Sequence, residues 1–173
     1  MRQVILVAGP NGAGKTSFAR EFLPIQRRTF VYINADEIER EMVSSPSSAS
    51  LKEFQAGRAM LNLLDDAIAR EDDVMLETTL ATRIYVRRIK YWRSIGYSVG
   101  LIYLRLQSAE QAIGRVARRV AAGGHNIPEA VIRRRFSVSA KNLELLYKSL
   151  VDEWYVWDSH EGRFDPAEAW DQP

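Results

Sequence analysis

Apolar residues along this chain follow two alternating patterns. Short runs rich in β-branched and aromatic residues are typical of buried strands, and longer segments with apolar residues three and four positions apart are typical of helices that pack on a core. The short runs occupy residues 4–8, 29–33, 74–76, 98–104 and 154–157. The helical segments occupy residues 17–22, 51–70, 83–92, 109–120 and about 129–150, and a further helix opens at 34–38.

Strands that alternate with helices predict an α/β fold, with a mostly parallel sheet of about five strands covered by helices on both faces. The carboxyl ends of parallel strands meet at one edge of the sheet, which is where such folds bind ligands. That edge is therefore expected to collect the polar segments that follow the strands, namely 9–16, 34–36, 77–79 and 158–159.

Three polar breaks separate these elements. Residues 44–50 form a serine-rich surface loop, residues 121–128 contain Gly123-Gly124-His125, and a polar tail follows residue 157. We expect His125 to make a hydrogen bond within its loop. Trp154 and Trp157 fall on opposite faces of a strand, which indicates packing and not a stacking platform.

Composition limits the classes of protein that the chain can represent. With 173 residues and 46% hydrophobic content, we expect a single domain over residues 1–173. The formal net charge is only +2, so bulk charge does not point to nucleic acid. The absence of cysteine excludes disulfides and thiolate metal sites. No signal peptide or membrane span is recognisable, and we expect a cytoplasmic protein with no membrane partner.

Residues 9–16 read Gly-Pro-Asn-Gly-Ala-Gly-Lys-Thr and complete the pattern G-x-x-x-x-G-K-S/T. An apolar run precedes them and a helical pattern follows, which is the context that this phosphate-binding motif requires. The glycines allow backbone N–H groups to face a phosphate, and the dipole of the next helix reinforces them. The alternative is a glycine-rich turn with an incidental lysine. The complete motif favours a P-loop NTPase fold, a three-layer α/β/α sandwich.

The expected ligands of this loop are ATP and Mg²⁺. Lys15, also a candidate catalytic residue, is expected to reach the β and γ phosphates, and the Thr16 hydroxyl is expected to bind Mg²⁺. The nucleotide-binding set comprises Gly9, Pro10, Asn11, Gly12, Ala13, Gly14, Lys15, Thr16 and Ser17.

Carboxylates and hydroxyls follow the second and third strands. Asp36 is a candidate base for accepting the proton of an acceptor hydroxyl, and a helix cap is the alternative. Glu77 ends an apolar strand, where it can lie near Mg²⁺ directly or through water; the alternative is a solvated carboxylate. Thr78 and Thr79 are expected to contact an acceptor substrate, unless they only shape the turn.

Arginines cluster around the glycine-rich break. Arg115, Arg118 and Arg119 share one helical face, and Arg133, Arg134 and Arg135 follow on the next helix. A helix–loop–helix hairpin of this kind, over about residues 115–136, is expected to act as a lid whose arginines stabilise the transferring phosphate. Ordinary solvated helix faces are the alternative for some of the six. A second basic stretch at 83–93 contains aromatic residues, and we interpret it as a helix face and not as a nucleic-acid site.

The chain resembles the zeta toxin family of P-loop kinases. The resemblance covers residues 4 to about 150 and rests on residues 9–16, Asn-Ala-Asp-Glu-Ile at 34–38, Leu-Glu-Thr-Thr-Leu at 76–80, Gly-Gly-His-Asn-Ile-Pro at 123–128 and Ile-Arg-Arg-Arg-Phe at 132–136. Members of that family transfer the γ phosphate of ATP to UDP-N-acetylglucosamine and are inhibited by an antitoxin protein.

The resemblance implies roles for individual residues. Asp36 would be the catalytic base, Glu77 would help to organise the acceptor, and Arg119 with Arg134 or Arg135 would be the lid arginines. It implies a sugar nucleotide as acceptor and an antitoxin as partner. Two other functions stay open: a kinase for another metabolite or a nucleic-acid end, and a nucleotide-binding switch or partner module that transfers no phosphate to a small molecule.

Overall fold

The computed structural model describes residues 1–22, 29–34, 38, 49–124 and 126–170, with the backbone alone for residues 49–54. Within these ranges the chain forms six strands and five α-helices. Their order is β1 (Arg2–Ala8), α1 (Lys15–Phe22), β2 (Val31–Ile33), α2 (Ala49–Ala69), β3 (Val74–Thr78), α3 (Ile84–Ser94), β4 (Tyr97–Arg105), α4 (Ala109–Ala121), α5 (Glu129–Asn142), a π-helical turn (Leu143–Tyr147), β5 (Glu153–His160) and β6 (Arg163–Ala169).

The strands form one sheet in the order β2-β3-β1-β4-β5-β6. Pairing is parallel from β2 to β5, and only β6 runs antiparallel to its neighbour among the described strands. In the centre of the sheet, Ala8 at the end of β1 pairs with Thr78 of β3 and Tyr103 of β4. The sheet therefore confirms the predicted α/β architecture and brings the loops after β1 and β3 side by side.

Helices cover both faces of the sheet, because apolar residues point to both faces of its central strands. On one face, Leu64 of α2, Ile89 of α3 and Tyr147 pack against β1 and β3. The opposite face is covered by α1, α4 and α5, with buried contacts that include Phe18, Val116 and Ile132. Trp154 packs on the first face and Trp157 on the second, as the strand period predicted. Burying each large apolar side chain contributes about 1.5–3 kcal/mol.

The prediction of a polar tail after residue 157 is wrong. The chain instead continues β5 to His160, turns at Gly162 with φ 72°, and returns as β6. Glu168 of β6 forms ion pairs with Arg105 and Lys148, while Phe164 packs edge-on against Phe18 with ring centroids 5.2 Å apart. Most residues of an edge strand face solvent, so their polar composition did not distinguish this strand from a tail.

The helix predicted to continue to residue 150 ends earlier. α5 stops at Asn142, and the next turn has π-type hydrogen bonding, with Lys148 N donating to Leu143 O at 3.0 Å. The apolar spacing did not reveal the change from α-helix to π-helix, because the α-helical and the π-helical parts of this segment both bury apolar residues. Predictions for Asp36, His125 and most of the loop at 44–50 lie outside the described residues. Among the described helices, none is long and apolar enough to cross a membrane.

Candidate active site

The loop between β1 and α1 requires glycine at its first position. Gly9 has φ 144°, and a Cβ built there would lie 2.4 Å from the backbone oxygen of Leu104 in the neighbouring strand β4. At the other end of the loop, Gly14 has φ 83°, and its Cβ would lie 3.2 Å from the Phe164 ring. The loop is thus enclosed by β4 on one side and by β6 on the other.

Lys15 begins α1 directly after the loop. Its Nζ donates hydrogen bonds to the carbonyl oxygens of Gly9 at 3.0 Å and Pro10 at 3.1 Å. Its ammonium group therefore lies over the loop, at the amino terminus of a helix whose dipole also favours negative charge. The loop backbone, helix terminus and lysine together have the chemistry of a phosphate site.

A buried hydrogen-bond network connects Thr16 with β2 and β3. The Thr16 hydroxyl donates to Glu77 Oε2 at 3.2 Å, and the Tyr32 hydroxyl donates to Glu77 Oε1. Asn34 Nδ2 lies 3.3 Å from the Tyr32 hydroxyl and 3.5 Å from Thr16 Oγ1. Glu77 and Asn34 are only 7% and 6% exposed, so these contacts satisfy polar groups that water barely reaches.

This network fits a Mg²⁺ site. Carboxylate and hydroxyl oxygens are the ligands that Mg²⁺ takes from proteins, and Glu77 presents its carboxylate directly to the hydroxyl of Thr16. Thr16 and Glu77 were both predicted from the sequence. Tyr32 was missed, because it was considered only as one apolar residue of a strand; its position one residue before the strand end was the available signal.

Thr78 and Thr79 have different surroundings. Thr78 Oγ1 accepts a hydrogen bond from Leu80 N at 3.0 Å and so shapes the turn after β3. Thr79 is half-buried, and its hydroxyl has no hydrogen-bond partner among the described residues. Of the two, Thr79 is the one whose hydroxyl is available to a ligand.

Arg115 connects α4 to the loop through β5. Its Nη1 donates to Ser159 Oγ at 2.8 Å and its Nη2 to Ser159 O at 2.9 Å, while Ser159 Oγ donates to Ala13 O at 2.8 Å. Burial lowers the pKa of the Arg115 guanidinium, and its Nε is buried without a hydrogen-bond partner among the described residues. The arginine face predicted on this helix therefore does meet the phosphate loop, but through Arg115.

A cleft of about 450 Å³ opens beside the loop. It lies between α1, α4 and the turn that joins β5 to β6. Its lining includes Gly14, Ser17, Arg115, Arg118, His160 and Phe164. A larger cavity of about 610 Å³, lined in part by Arg2 and Asp73, lies at the opposite, amino-terminal edge of the sheet and so away from the loop. Of these two cavities, the smaller cleft is the one that adjoins the phosphate loop.

The other predicted arginines differ in their surroundings. Arg133 forms ion pairs with Glu110 at 2.6 Å and Glu129 at 2.8 Å, which hold it on the surface. Arg118 pairs with Glu161 across the mouth of the cleft. The remaining three are Arg134, which is exposed, and Arg119 and Arg135, which are half-buried.

Asp158 reaches the predicted edge of the sheet but is engaged by an arginine. Arg105 Nε donates to Asp158 Oδ1 at 2.7 Å and Arg105 Nη2 to Oδ2 at 3.2 Å. The Arg105 hydrogen bonds hold the pKa of this carboxyl below its usual range. Asp158 is thus a carboxylate near the end of β5 whose two oxygens both accept hydrogen bonds from Arg105.

A family model described as an AAA domain matches residues 4–140 of the chain. An uncharacterized protein from Haemophilus influenzae is 29% identical over 134 residues, which is 78% of this chain and 92% of that protein. The matched region includes every strand of the sheet from β1 to β4, and the phosphate loop with it.

Solved structures with a similar backbone include the PezAT toxin–antitoxin system of Streptococcus pneumoniae, which matches 98% of this chain with a TM-score of 0.71 and 16% identity. AvrRxo1-ORF1:-ORF2 with ATP matches 98% with a TM-score of 0.70 and 15% identity. The Pnkp1/Rnl/Hen1 RNA repair complex matches 84% with a TM-score of 0.68 and 16% identity. The chain spans only 71%, 58% and 46% of those respective chains, and the likeness is one of fold.

Proposed function

Because the chain belongs to the AAA domain family and has a P-loop kinase fold, we propose that it is an ATP-dependent kinase. The proposed acceptor is the hydroxyl of a small molecule, specifically a sugar nucleotide such as UDP-N-acetylglucosamine. The observation that carries the proposal is the phosphate loop with Lys15 above it and Thr16 bonded to the buried carboxylate of Glu77.

On the nucleotide side, residues 9–17 would bind the ATP phosphates through backbone N–H groups and the Lys15 ammonium. The cleft beside the loop, with Arg115 and Arg118, is the proposed place of the nucleoside. Thr16 and Glu77 would hold Mg²⁺, Glu77 directly or through water. When bound, Mg²⁺ neutralises the charge of the β and γ phosphates.

On the acceptor side, Asp36 is the proposed base. It follows Asn34 by two residues, and Asn34 Nδ2 lies against the Thr16 and Tyr32 hydroxyls. The acceptor oxygen would attack the γ phosphorus while Asp36 takes its proton, and the bond from that phosphorus to the β-phosphate oxygen would break to release ADP. Glu77, Thr79 and Arg135 are the proposed acceptor contacts, whereas Thr78, also predicted as a contact, holds the turn through its hydroxyl.

Residues 115–136 are proposed to form a lid over the nucleotide. Arg119 and Arg134 would contact the transferring phosphate on closure, whereas Arg115 already lies on the phosphate loop. A contact made only in the closed state would stabilise the transition state and not the resting complex, so these arginines would act on kcat.

Membership of the zeta toxin family is part of this proposal, and with it an antitoxin protein as partner. The backbone likeness to the PezAT toxin–antitoxin structure over 98% of the chain supports it. A second candidate, phosphorylation of a nucleic-acid end, is supported by the likeness to a structure of an RNA repair complex. The two differ in acceptor, so one assay separates them.

The test measures transfer of labelled γ phosphate from ATP with Mg²⁺ present. The acceptors are UDP-N-acetylglucosamine, other sugar nucleotides, simple alcohols and oligonucleotides. We expect wild-type protein to label a sugar nucleotide, Lys15→Ala to lose nucleotide binding and transfer, and Asp36→Asn to bind ATP normally but transfer roughly 10²–10⁴-fold more slowly. Asp158→Asn is the matched control, because Asp158 is also a carboxylate near the carboxyl end of a strand but is held by Arg105.

Three results would contradict the proposal in different ways. Normal transfer by Lys15→Ala would remove the phosphate-loop argument. Equal losses in Asp36→Asn and Asp158→Asn would remove Asp36 as the base. Labelling of oligonucleotides alone, with a steep dependence on salt concentration, would favour the nucleic-acid alternative.

A further inference from the structure

The turn after β3, residues 78–82, has a backbone conformation that its sequence disfavours. Leu80 is completely buried and has φ 58°, in the left-handed region that a branched L-residue rarely adopts. Such a conformation persists only where surrounding contacts hold it. This turn is adjacent to the phosphate loop, because Thr78 pairs with Ala8, the residue before Gly9.

Two hydrogen bonds from the end of α5 and the π-helical turn hold this turn. Asn142 Nδ2 donates to Leu80 O at 2.9 Å, and the Tyr147 hydroxyl donates to Thr82 O at 2.6 Å. Asn142 is 6% exposed and Tyr147 is completely buried, so both donors come from side chains that water barely reaches, although Thr82 itself is exposed. Burial also raises the pKa of the Tyr147 hydroxyl, which keeps it protonated as a donor.

The π-helical turn explains how one segment supplies both donors. Asn142 ends α5, and Tyr147 lies five residues further along. In an α-helix, residues five apart point in directions about 140° apart. The wider π-type turn at Leu143–Tyr147 brings residues five apart toward one face. Regular helix at this place would direct one of the two donors away from the turn.

From these contacts we propose that Asn142 and Tyr147 are positioning residues for the phosphate acceptor. They act through the carbonyls of Leu80 and Thr82, which fix the turn and place Thr79 beside the phosphate loop. Thr79 is the half-buried residue of the turn whose hydroxyl has no hydrogen-bond partner among the described residues. The inference rests on the proposed kinase function, and it names residues on the acceptor side of that same site.

Helix α5 adds a connection to the opposite side of the site. Arg134 and Arg135 lie in its first half and Asn142 at its end, so one helix joins the proposed lid arginines to the acceptor turn. Loosening the turn should therefore affect acceptor binding, while the phosphate loop, held separately by Ser159 and β4, keeps its arrangement.

The test compares Asn142→Ala and Tyr147→Phe with Tyr103→Phe. Tyr103 is the matched control because its buried hydroxyl bonds Ser139 Oγ at 2.9 Å on the same helix and makes no hydrogen bond to the turn among the described residues. We expect the first two variants to raise KM for UDP-N-acetylglucosamine roughly tenfold or more, with KM for ATP changed less than about twofold. Tyr103→Phe should leave both constants unchanged at temperatures well below its Tm.

Hydrogen exchange of the turn provides a readout that does not depend on activity. Backbone amides at residues 78–82 should exchange faster in Asn142→Ala and Tyr147→Phe than in Tyr103→Phe. Unchanged exchange, or faster exchange with an unchanged acceptor KM, would overturn the inference. If wild-type protein phosphorylates no acceptor, the proposed function fails and the acceptor role falls with it, while the exchange result still reports whether the two side chains hold the turn.

Discussion

Gly9 lies where the end of β1 meets the backbone of β4, and this position leaves no room for a side chain. Gly9→Ala should destabilise the fold by about 1–3 kcal/mol and abolish ATP binding, because a Cβ would lie 2.4 Å from Leu104 O. Gly114→Ala is the matched control: Gly114 lies exposed within α4, and its Cβ would meet nothing within 4 Å. That change should stabilise the protein by about 0.5–1 kcal/mol. Urea unfolding measures the stability of the two variants, and ATP titration measures their nucleotide affinity. Equal changes in Gly9→Ala and Gly114→Ala would contradict the steric argument.

Tyr32 is the residue whose importance emerges only from the structure. Tyr32→Phe removes the hydroxyl that donates to Glu77 Oε1, so the buried carboxylate loses one of its donors. We expect a stability loss of about 1–3 kcal/mol and a higher Mg²⁺ concentration for half-maximal transfer. Tyr155→Phe is the control, since Tyr155 also bonds a glutamate, Glu153, but is 39% exposed. If the Mg²⁺ requirement of Tyr32→Phe equals that of wild type, Tyr32 is not part of the proposed Mg²⁺ site.

Individual site residues were predictable where the local backbone determines their role. The residues of the phosphate loop follow from a contiguous motif, since its glycines and lysine act within a few positions of one another. Tyr32 and Glu77 are 45 residues apart, and their contact depends on β2 pairing with β3 so that Tyr32 lies opposite Met75. The spacing of residues along the sequence does not predict how β2 and β3 are aligned with each other.

At the scale of elements, β6 depends on charge as well as on apolar packing. Glu168 receives hydrogen bonds from Arg105 at 2.6 Å and Lys148 at 3.1 Å, and the Lys148 bond is the larger cause that holds its pKa below the ordinary range. A carboxyl whose folded-state pKa is lowered stabilises the protein above its unfolded-state pKa, about 4.3 for Glu. That contribution disappears as the pH falls through the folded-state pKa.

Glu168→Gln should therefore destabilise the protein at pH 7, and the difference from wild type should be smaller at pH 3. Because the Glu168 side chain is 41% exposed, the difference at pH 7 should be no more than about 1 kcal/mol. Urea unfolding of both proteins at the two pH values measures it. A difference of the same size at both values would mean that Glu168 acts through packing and not through its charge.

Strands and helices were predicted correctly where the period of the apolar residues and the length of the segment indicate the same type of element. Four parallel strands and four helices are found close to their predicted bounds, because their buried faces have a strong period of two or near 3.6. β6 and the π-helical turn were not predicted. The first is held by partners distant in sequence, such as Phe18 and Arg105, and the second is defined by a hydrogen-bond pattern that apolar spacing does not encode.

For the whole molecule, nucleotide binding should raise the free energy of unfolding and therefore the Tm. A ligand that binds only the folded state at 100 times its Kd adds about 2.7 kcal/mol, which corresponds to a Tm increase of roughly 5–10 °C for a chain of this size. We expect ATP with Mg²⁺ to produce such a shift in wild-type protein and none in Lys15→Ala. Thermal unfolding followed by circular dichroism measures it, and an equal shift in both proteins would indicate binding away from the phosphate loop.

The sequence by itself determined the class of fold, the phosphate loop and the edge of the sheet at which the candidate site lies. These follow from short-range information: apolar period within each element, a contiguous motif, and the rule that parallel strands end at one edge. The tertiary structure decided which side chains meet there. Tyr32 reaches Glu77, Arg115 reaches Ser159, and Asn142 holds Leu80 O only after strand register and helix packing bring distant segments together. Such contacts depend on three-dimensional distances, and the linear order of residues does not contain them.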